Sequence, residues 1–515
     1  MGTLASANAA SYFVDRHVGE GRGDKTAFCE YGSGRSLTYG ALAEASGRVA
    51  AALGQHGIVP EQRVAILVLD TIEFPQIFWG AIKAGVIPIP LNTLLATSVY
   101  DVILRDSRAT TLFVSEMLYE TVAPVLADNP YIRHVILIGD TAHADTITYR
   151  DFLDSTAQTA PAFDACPDEV AFWLYSSGST GQPKGVHHIH SSLKATADTY
   201  GAQVLGMRED DVVYSAAKFF FAYGLGNAMT FPMAVGATTV LFAGRPTPDV
   251  VTDILNTQQP TVFCGVPTLY AAMVAFMDRN GTAKAPLRTC ISAGEALPED
   301  IGTRWEKHTG VEILDGVGST EMLHIFLSNR PGDVVYGTSG VPVPGYSVRL
   351  VNEAGEEVAV GEVGELLVQG DSAAGGYWNQ REKSRNTFEG VWTRTGDKYE
   401  CRADGRFVYC GRTDDMFKVS GIWVSPFEVE SAIISHPHVL EAAVVAARDA
   451  DGLEKPKAYV VLNAGVSPDG IEAALKEHVK TKIGKWKYPR WIACVDELPK
   501  TATGKIQRFK LREDA

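Results

Sequence analysis

Val170-Ala-Phe-Trp-Leu-Tyr-Ser-Ser-Gly-Ser-Thr-Gly-Gln-Pro-Lys-Gly-Val186 is the stretch from which the chain is best read. The apolar run Val170 to Leu174 predicts a strand, and a loop dense in small residues follows it. Gly178, Gly181 and Gly185 permit close backbone approach, Ser177, Ser179 and Thr180 offer hydroxyls, and Lys184 adds a cation. That combination suits a polyphosphate held on backbone amides. The spacing is not that of a Walker A loop, because no Gly-Lys-Ser/Thr follows at the required distance. A plain turn of small residues is the alternative reading.

On the N-terminal side, β-branched runs at Val64 to Leu69 and His134 to Ile138 are separated by stretches that read as helix, such as Phe74 to Ala84. The same alternation continues beyond the loop, with runs at Thr238 to Phe242 and Thr261 to Val266, and it predicts layered α/β architecture. After about Gly337 the strands crowd together, at Tyr346 to Val351, Gly364 to Val368 and Arg406 to Tyr409, which predicts a β-rich subdomain. Beyond Gly411, strand-like Ala442 to Ala446, Ala458 to Leu462 and Trp491 to Val495 surround a helical Ile471 to Lys482. This last part reads as a small α+β lid of about a hundred residues. The expected division is residues 1–413 and 414–515, joined at a short hinge.

The bulk composition agrees with a soluble enzyme-sized protein. The chain has 515 residues, of which 46% are hydrophobic and 21% charged, enough for roughly three to four domain-sized units. A net charge of −15 opposes nonspecific binding to nucleic acid. The start, Met1 to Phe28, lacks a basic segment followed by an apolar run, and no stretch reads as a membrane span. Seven cysteines without a Cys-x-x-Cys pair fit a reducing cytoplasm and no zinc site. His187, His188 and His190 follow the loop without carboxylates at ligand spacing and are assigned no metal. Near the end, Lys476, Lys480, Lys482, Lys485, Lys487, Arg490, Lys500, Lys505, Arg508, Lys510 and Arg512 outnumber acids. They are read either as a solvated face or as a cradle for an anionic ligand.

Four further segments occur in order: Gly316-Val-Gly-Ser-Thr-Glu321, Trp392-Thr-Arg-Thr-Gly-Asp397, Gly411-Arg-Thr-Asp-Asp415 and Pro499-Lys-Thr-Ala-Thr-Gly-Lys505. With the glycine-rich loop, this ordered set resembles the adenylate-forming superfamily of acyl-CoA ligases, luciferases and carrier-loading adenylation domains, over nearly the whole chain. The resemblance implies ATP, Mg2+ and coenzyme A as ligands. It places ATP against Ser176, Ser177, Gly178, Ser179, Thr180, Gly181 and Lys184, and adenine between Ala293-Gly294-Glu295 and Asp315-Gly316. Asp397 would accept hydrogen bonds from the ribose hydroxyls, since a carboxylate offers several acceptor sites and no donor. Arg412 would pair with phosphate or ribose. Thr320 would contact phosphate, and Glu321 would hold the magnesium ion, a hard cation suited to carboxylate oxygen.

Lys505 would bridge the carboxylate and the α-phosphate as two anions approach. Adenylation and thioester formation need different surroundings, so the resemblance implies a lid that rotates about Asp414. Rotation would bring Lys418, Ser420 and Gly421 to the acyl-adenylate. The resemblance also makes Lys505 a target for a lysine acetyltransferase and deacetylase, because acylation removes its charge.

Phe219-Phe-Phe-Ala-Tyr-Gly-Leu-Gly-Asn227 and Gly318-Ser-Thr-Glu-Met-Leu-His-Ile-Phe326 resemble benzoate–CoA ligases within the superfamily. On that likeness Phe221, Ala222, Tyr223, Gly318, His324 and Ile325 line the acyl pocket. Gly318 and Ala222 would leave a slot for a flat ring, Tyr223 and Ile325 would wall it, and His324 would touch the carboxylate or the ring edge. Phe221 stands where a histidine is common, Lys218 where a proline is usual, and Trp423 where relatives are often basic. The expected substrate is benzoate or a close aromatic carboxylate, in the setting of aromatic compound degradation, with a monomer or homodimer as the working unit. A substituted or heteroaromatic benzoate, an alicyclic or short aliphatic acid, a carrier protein as acceptor, and a noncatalytic nucleotide sensor remain as other readings.

Overall fold

A computed structural model describes residues 7–141, 143–177, 183–413, 415–419, 422–449, 453–484, 487–500 and 506–513. The candidates Gly178, Ser179, Thr180, Gly181, Asp414, Ser420, Gly421, Lys485 and Lys505 lie outside the described residues.

Val- and Ile-rich runs become parallel strands buried on both faces, as the sequence pattern requires. A five-stranded parallel sheet runs in the order Ile87–Pro90, Arg63–Leu67, Thr111–Ser115, His134–Ile138 and Ile147–Thr148. A nine-stranded mixed sheet has a parallel centre of Ile313–Gly318, Thr289–Ser292, Val262–Gly265, Val212–Ser215, Thr238–Leu241 and Thr26–Glu30. The helix Glu73–Lys83 is buried almost throughout and crosses Tyr39–Gln55 closely. A Cβ on Gly80 would lie 2.5 Å from Val49 Cβ, so only glycine allows that approach.

The strand Val170–Ser177 and its partner Pro183–Ile189 form a small antiparallel sheet with Gly376–Tyr377. The predicted β-rich part is an antiparallel sheet of Ser347–Val351, Val363–Gln369, Trp392–Cys401 and Phe388–Glu389, with Phe407–Arg412 on its long strand. Helix Pro426–Ile434 and helix Ile471–Ile483 pack on the sheet of Val439–Arg448, Glu454–Leu462 and Trp491–Cys494. This C-terminal part has its own core, including Phe417, Val429, Val444, Val460 and Leu475. The architecture is mixed α/β, with a large N-terminal part and a small α+β C-terminal part, as the strand pattern predicts.

Candidate active site

Neighbouring parallel strands end level, with Gly265 opposite Ser292 and Ser292 opposite Asp315. Open parallel sheets bind ligands in the crevice at such carboxyl ends. The register therefore brings the turn Ala293-Gly294-Glu295 and Gly316 to one edge, although they are far apart in the chain. Gly294 has φ 101°, a conformation that needs glycine there. The Asp315 side chain turns inward: it is 4% exposed and accepts from the Leu297 backbone N–H at 3.3 Å. Asp315 thus braces the turn and offers no charge to a ligand.

Burial, partly opposed by that backbone N–H, pushes the Asp315 carboxyl up to about 8. A carboxyl raised on folding removes stability as pH climbs from its unfolded value of 3.8 towards the folded one. Asp315→Asn is expected to raise the melting temperature over wild type, and the gain should widen from about pH 5 to about pH 8.5. Thermal denaturation at both pH values checks this, and a gain that narrows or stays constant would count against it.

The clearest polar cluster joins the first strand pair to the Thr320-Glu321 turn. Lys184 Nζ donates to Glu321 Oε1 at 2.7 Å and to the Tyr377 hydroxyl at 2.9 Å, while that hydroxyl donates to the same Oε1 at 2.8 Å. Burial raises the Glu321 carboxyl, but the Lys184 charge and the hydrogen bonds outweigh it and hold the group below its ordinary value. His188, stacked on Phe172, places Nε2 2.8 Å from the Thr320 carbonyl oxygen. A carbonyl only accepts, so Nε2 carries the proton. Burial lowers the ring to about 4, so His188 is a neutral strut. His187 stacks on Trp173, and His190 Nδ1 accepts from the Ala9 N–H. Among the described residues no group of three or more His, Cys, Asp or Glu side chains could hold a metal.

Asp397 and Arg412 face each other across a strand pair and meet at 3.0 Å. The two residues read as nucleotide contacts are thus brought together, with the carboxylate oriented by the guanidinium. At the far end of the chain, the Ile506 N–H reaches Glu295 Oε1 at 3.4 Å. The residue after Lys505 therefore rests on the turn read as the adenine wall. Lys418 pairs with Trp423 in the hairpin Phe417–Val419 and Ile422–Val424.

The basic terminal stretch is not the open cationic face that its sequence allows. Lys476 pairs with Glu472 at 2.7 Å, Lys487 with Glu428 at 2.6 Å, Lys500 with Glu441 at 2.6 Å and Arg508 with Glu430 at 2.8 Å. Lys480 lies 3.4 Å from Glu477, and Arg512 pairs with Asp415. Acids from other elements offset much of the run, so a cradle for CoA phosphates does not follow from the charge count.

The acyl-pocket candidates gather beside the strand ends. Phe221 stands at the N-cap of the short helix Ala222–Leu225, with its ring 4.3 Å from that of Phe220. The Tyr223 hydroxyl is 3.0 Å from Gly265 O and 3.1 Å from Ile291 O, which pins the ring over two strand ends. Gly318 pairs with Ile325, and a Cβ on Gly318 would sit 2.5 Å from the His324 carbonyl oxygen. His324 is 3% exposed, and its Nε2 lies 3.3 Å from the Tyr223 carbonyl oxygen. Nε2 is then the donor, and burial lowers the ring to about 3, so His324 brings no positive charge to a carboxylate. Its rings of contact are Tyr200, Tyr223 and Phe231.

Tyr377 and His188 are the contributors that sequence reasoning did not assign. Both sit on the small sheet, where an aromatic or histidine carries no spacing signal of its own.

With this geometry in view, likeness to known proteins is specific. Residues 15–378 match the AMP-binding enzyme family, and residues 428–505 match the AMP-binding enzyme C-terminal domain. The chain is 54% identical over 513 residues to the 4-hydroxybenzoate–CoA/benzoate–CoA ligase of Rhodopseudomonas palustris, covering 99% of this chain and 94% of that one. It superimposes on a benzoate CoA ligase from Burkholderia xenovorans LB400 with a TM-score of 0.91, at 48% identity, covering 99% of this chain and 100% of that one. It also superimposes on the anthranilate CoA ligase AuaEII in complex with anthranoyl-AMP, with a TM-score of 0.94 at 40% identity, covering 99% and 98%. Two family matches and full-length likeness agree, and the chain belongs to the AMP-binding enzyme family of adenylate-forming enzymes.

Proposed function

We propose that the chain is an ATP-dependent acid–CoA ligase that converts benzoate, or a close aromatic carboxylate, to its CoA thioester through an acyl-AMP intermediate. The observation that carries this reading is one strand, Ile313–Gly318. Its end would supply Gly318 to a slot beside Tyr223 and Ile325, and the next turn would supply Thr320 and Glu321 to the phosphate side. Acid and ATP would therefore meet within a few residues of one another.

In the first step a carboxylate oxygen attacks the α-phosphorus, and the bond to pyrophosphate breaks. Ser176 to Gly181, Lys184 and Thr320 would hold the phosphates, and Ala293, Gly294, Glu295 and Gly316 would enclose adenine. Asp397, oriented by Arg412, would take the ribose. Lys505 would offset the charge that builds as the anions meet. Glu321 fits a divalent cation, because its Oε1 already carries the Lys184 ammonium. A magnesium ion bound there would supply charge neutralisation for the polyphosphate. In the second step the CoA thiolate attacks the acyl carbon and AMP leaves, the thiol proton passing to solvent.

For that step residues 414–515 would turn about Asp414 and present Lys418, Ser420 and Gly421. The separate C-terminal core supports such a rigid rotation. The seven cysteines are unbonded, which suits a reducing cytoplasm. No described helix is long and apolar enough to cross a membrane.

Acid-dependent AMP formation, with and without CoA, tests the reading across benzoate, 4-hydroxybenzoate, 2-aminobenzoate, cyclohexanecarboxylate and short fatty acids. Benzoate or its hydroxylated analogue should give the highest kcat/KM, with CoA-dependent turnover. Preference for an aliphatic acid would overturn the pocket assignment, and no AMP with any acid would favour a nucleotide sensor.

A further inference from the structure

We propose that Tyr377 is a positioning residue of the cation–polyphosphate site, and that the Lys184 ammonium occupies Glu321 until a divalent cation arriving with ATP displaces it. The proposal rests on the reading of Glu321 as the cation ligand given above.

Three groups form a closed triangle: Nζ of Lys184, Oε1 of Glu321 and the hydroxyl of Tyr377 are 2.7, 2.8 and 2.9 Å apart. Two donors thus converge on a single carboxylate oxygen. The Lys184 and Glu321 side chains are 13% and 14% exposed, so the pair is shielded but not sealed from solvent. Leaving such a carboxylate without a cation would be costly in this setting. An ammonium at that distance and a hard divalent ion at about 2.1 Å cannot share Oε1, because their charges repel. Arrival of the ion must therefore release Lys184, which directly follows the glycine-rich segment and is free to meet phosphate. The neutral hydroxyl of Tyr377 has no such conflict and can hold the carboxylate through the exchange.

Tyr377 is built to stay in place. Its N–H donates to Ser384 Oγ at 3.0 Å, its backbone pairs with Val186 on the strand that carries Lys184, and its ring packs on Phe388 at 5.3 Å. The Ala374 N–H holds the Glu321 backbone oxygen at 2.8 Å, so the same segment grips Glu321 at both ends. Burial raises the phenol, which keeps its proton at neutral pH. Lys383, next to Ser384, has its ammonium lowered by burial and then by Lys184.

The experiment uses the full chain and Tyr377→Phe, with Mg2+ titrated in two ways. One reads the thermal shift with a non-hydrolysable α,β-methylene ATP, and the other reads acid-dependent pyrophosphate release. Loss of one charge-assisted hydrogen bond should raise the Mg2+ half-saturation about tenfold in both, with the ligand-free melting temperature nearly unchanged. Direct Mn2+ binding without nucleotide, followed by the free-ion electron spin resonance signal, should be tighter in Lys184→Met than in wild type, because the competing ammonium is gone. An unchanged Mg2+ half-saturation in Y377F, or Mn2+ binding no tighter in K184M, would overturn the proposal. Glu321→Gln separates the two readings. If E321Q keeps the wild-type Mg2+ half-saturation, the assignment of Glu321 falls and the proposal with it; if E321Q shifts it and Y377F does not, the proposal falls and the assignment of Glu321 stands.

Discussion

Lys505→Ala is expected to slow acid-dependent AMP formation by on the order of 10²–10³-fold, the usual scale for removing one preorganised charge from a transition state. The carboxylate and the triphosphate are both anions, and their repulsion grows as the new oxygen–phosphorus bond forms. An ammonium between them acts where charge develops, so its loss should appear mainly in kcat. The neighbouring backbone supports the placement: the Ile506 N–H reaches Glu295 Oε1 at 3.4 Å, on the turn assigned to adenine. Lys505 is carried by a segment that would leave on lid rotation, so the second half-reaction should be spared. Supplying benzoyl-AMP and CoA directly measures this, and thioester formation should remain within about threefold of wild type. Equal loss in both halves would mean that Lys505 is structural.

Gly318→Ala should remove most aromatic-acid activity and weaken nucleotide binding to a smaller extent. A Cβ at this position would lie 2.5 Å from the His324 carbonyl oxygen, 2.6 Å from its carbon and 2.8 Å from the Ile325 nitrogen. All three are backbone atoms and cannot swing aside, so the strand pair must shift. Overpacking of this kind costs about 1–3 kcal/mol. On the proposed reading the displaced atoms would wall the acyl slot, and kcat/KM for benzoate is expected to fall at least about 100-fold, the loss that misplacing a reacting group brings. The turn at Gly294 and the Asp397–Arg412 pair lie on other strands, but Gly316, Thr320 and Glu321 share this strand and its turn, so affinity for ATP should fall as well, by clearly less than benzoate kcat/KM. Parallel measurement of ATP binding by calorimetry and of benzoate kinetics separates the two. A fall in ATP affinity as large as the fall in benzoate kcat/KM would show that Gly318 serves the whole site.

Much of the fold is legible in short windows. The run His134 to Ile138 is a strand with those bounds, and Ile471 to Lys482 differs from the helix Ile471–Ile483 by one residue. Such elements follow from side-chain periodicity and β-branching, which are local properties. The ordered motifs likewise fall on the strand Val170–Ser177, the Thr320-Glu321 turn and the Asp397 strand. Charge was less legible. The run of lysines and arginines near the end reads as a patch in sequence, yet Glu428, Glu430, Glu441 and Asp415 come from other elements to pair with it. A residue count along the chain carries no information about which opposite charge the fold brings near.

The sequence by itself determined the α/β layering, the small C-terminal domain and the family, because each is written in contiguous or regularly spaced residues. Tertiary structure alone decided what those residues are doing. It put Lys184 and Tyr377, 193 positions apart, on one oxygen of Glu321. It also turned Asp315 inward, where burial lifts its carboxyl to about 8, and buried His324 so that its ring stays neutral despite a carbonyl partner. Protonation and pairing depend on desolvation and on distances of a few ångströms between distant parts of the chain, and those exist only once the sheets are stacked.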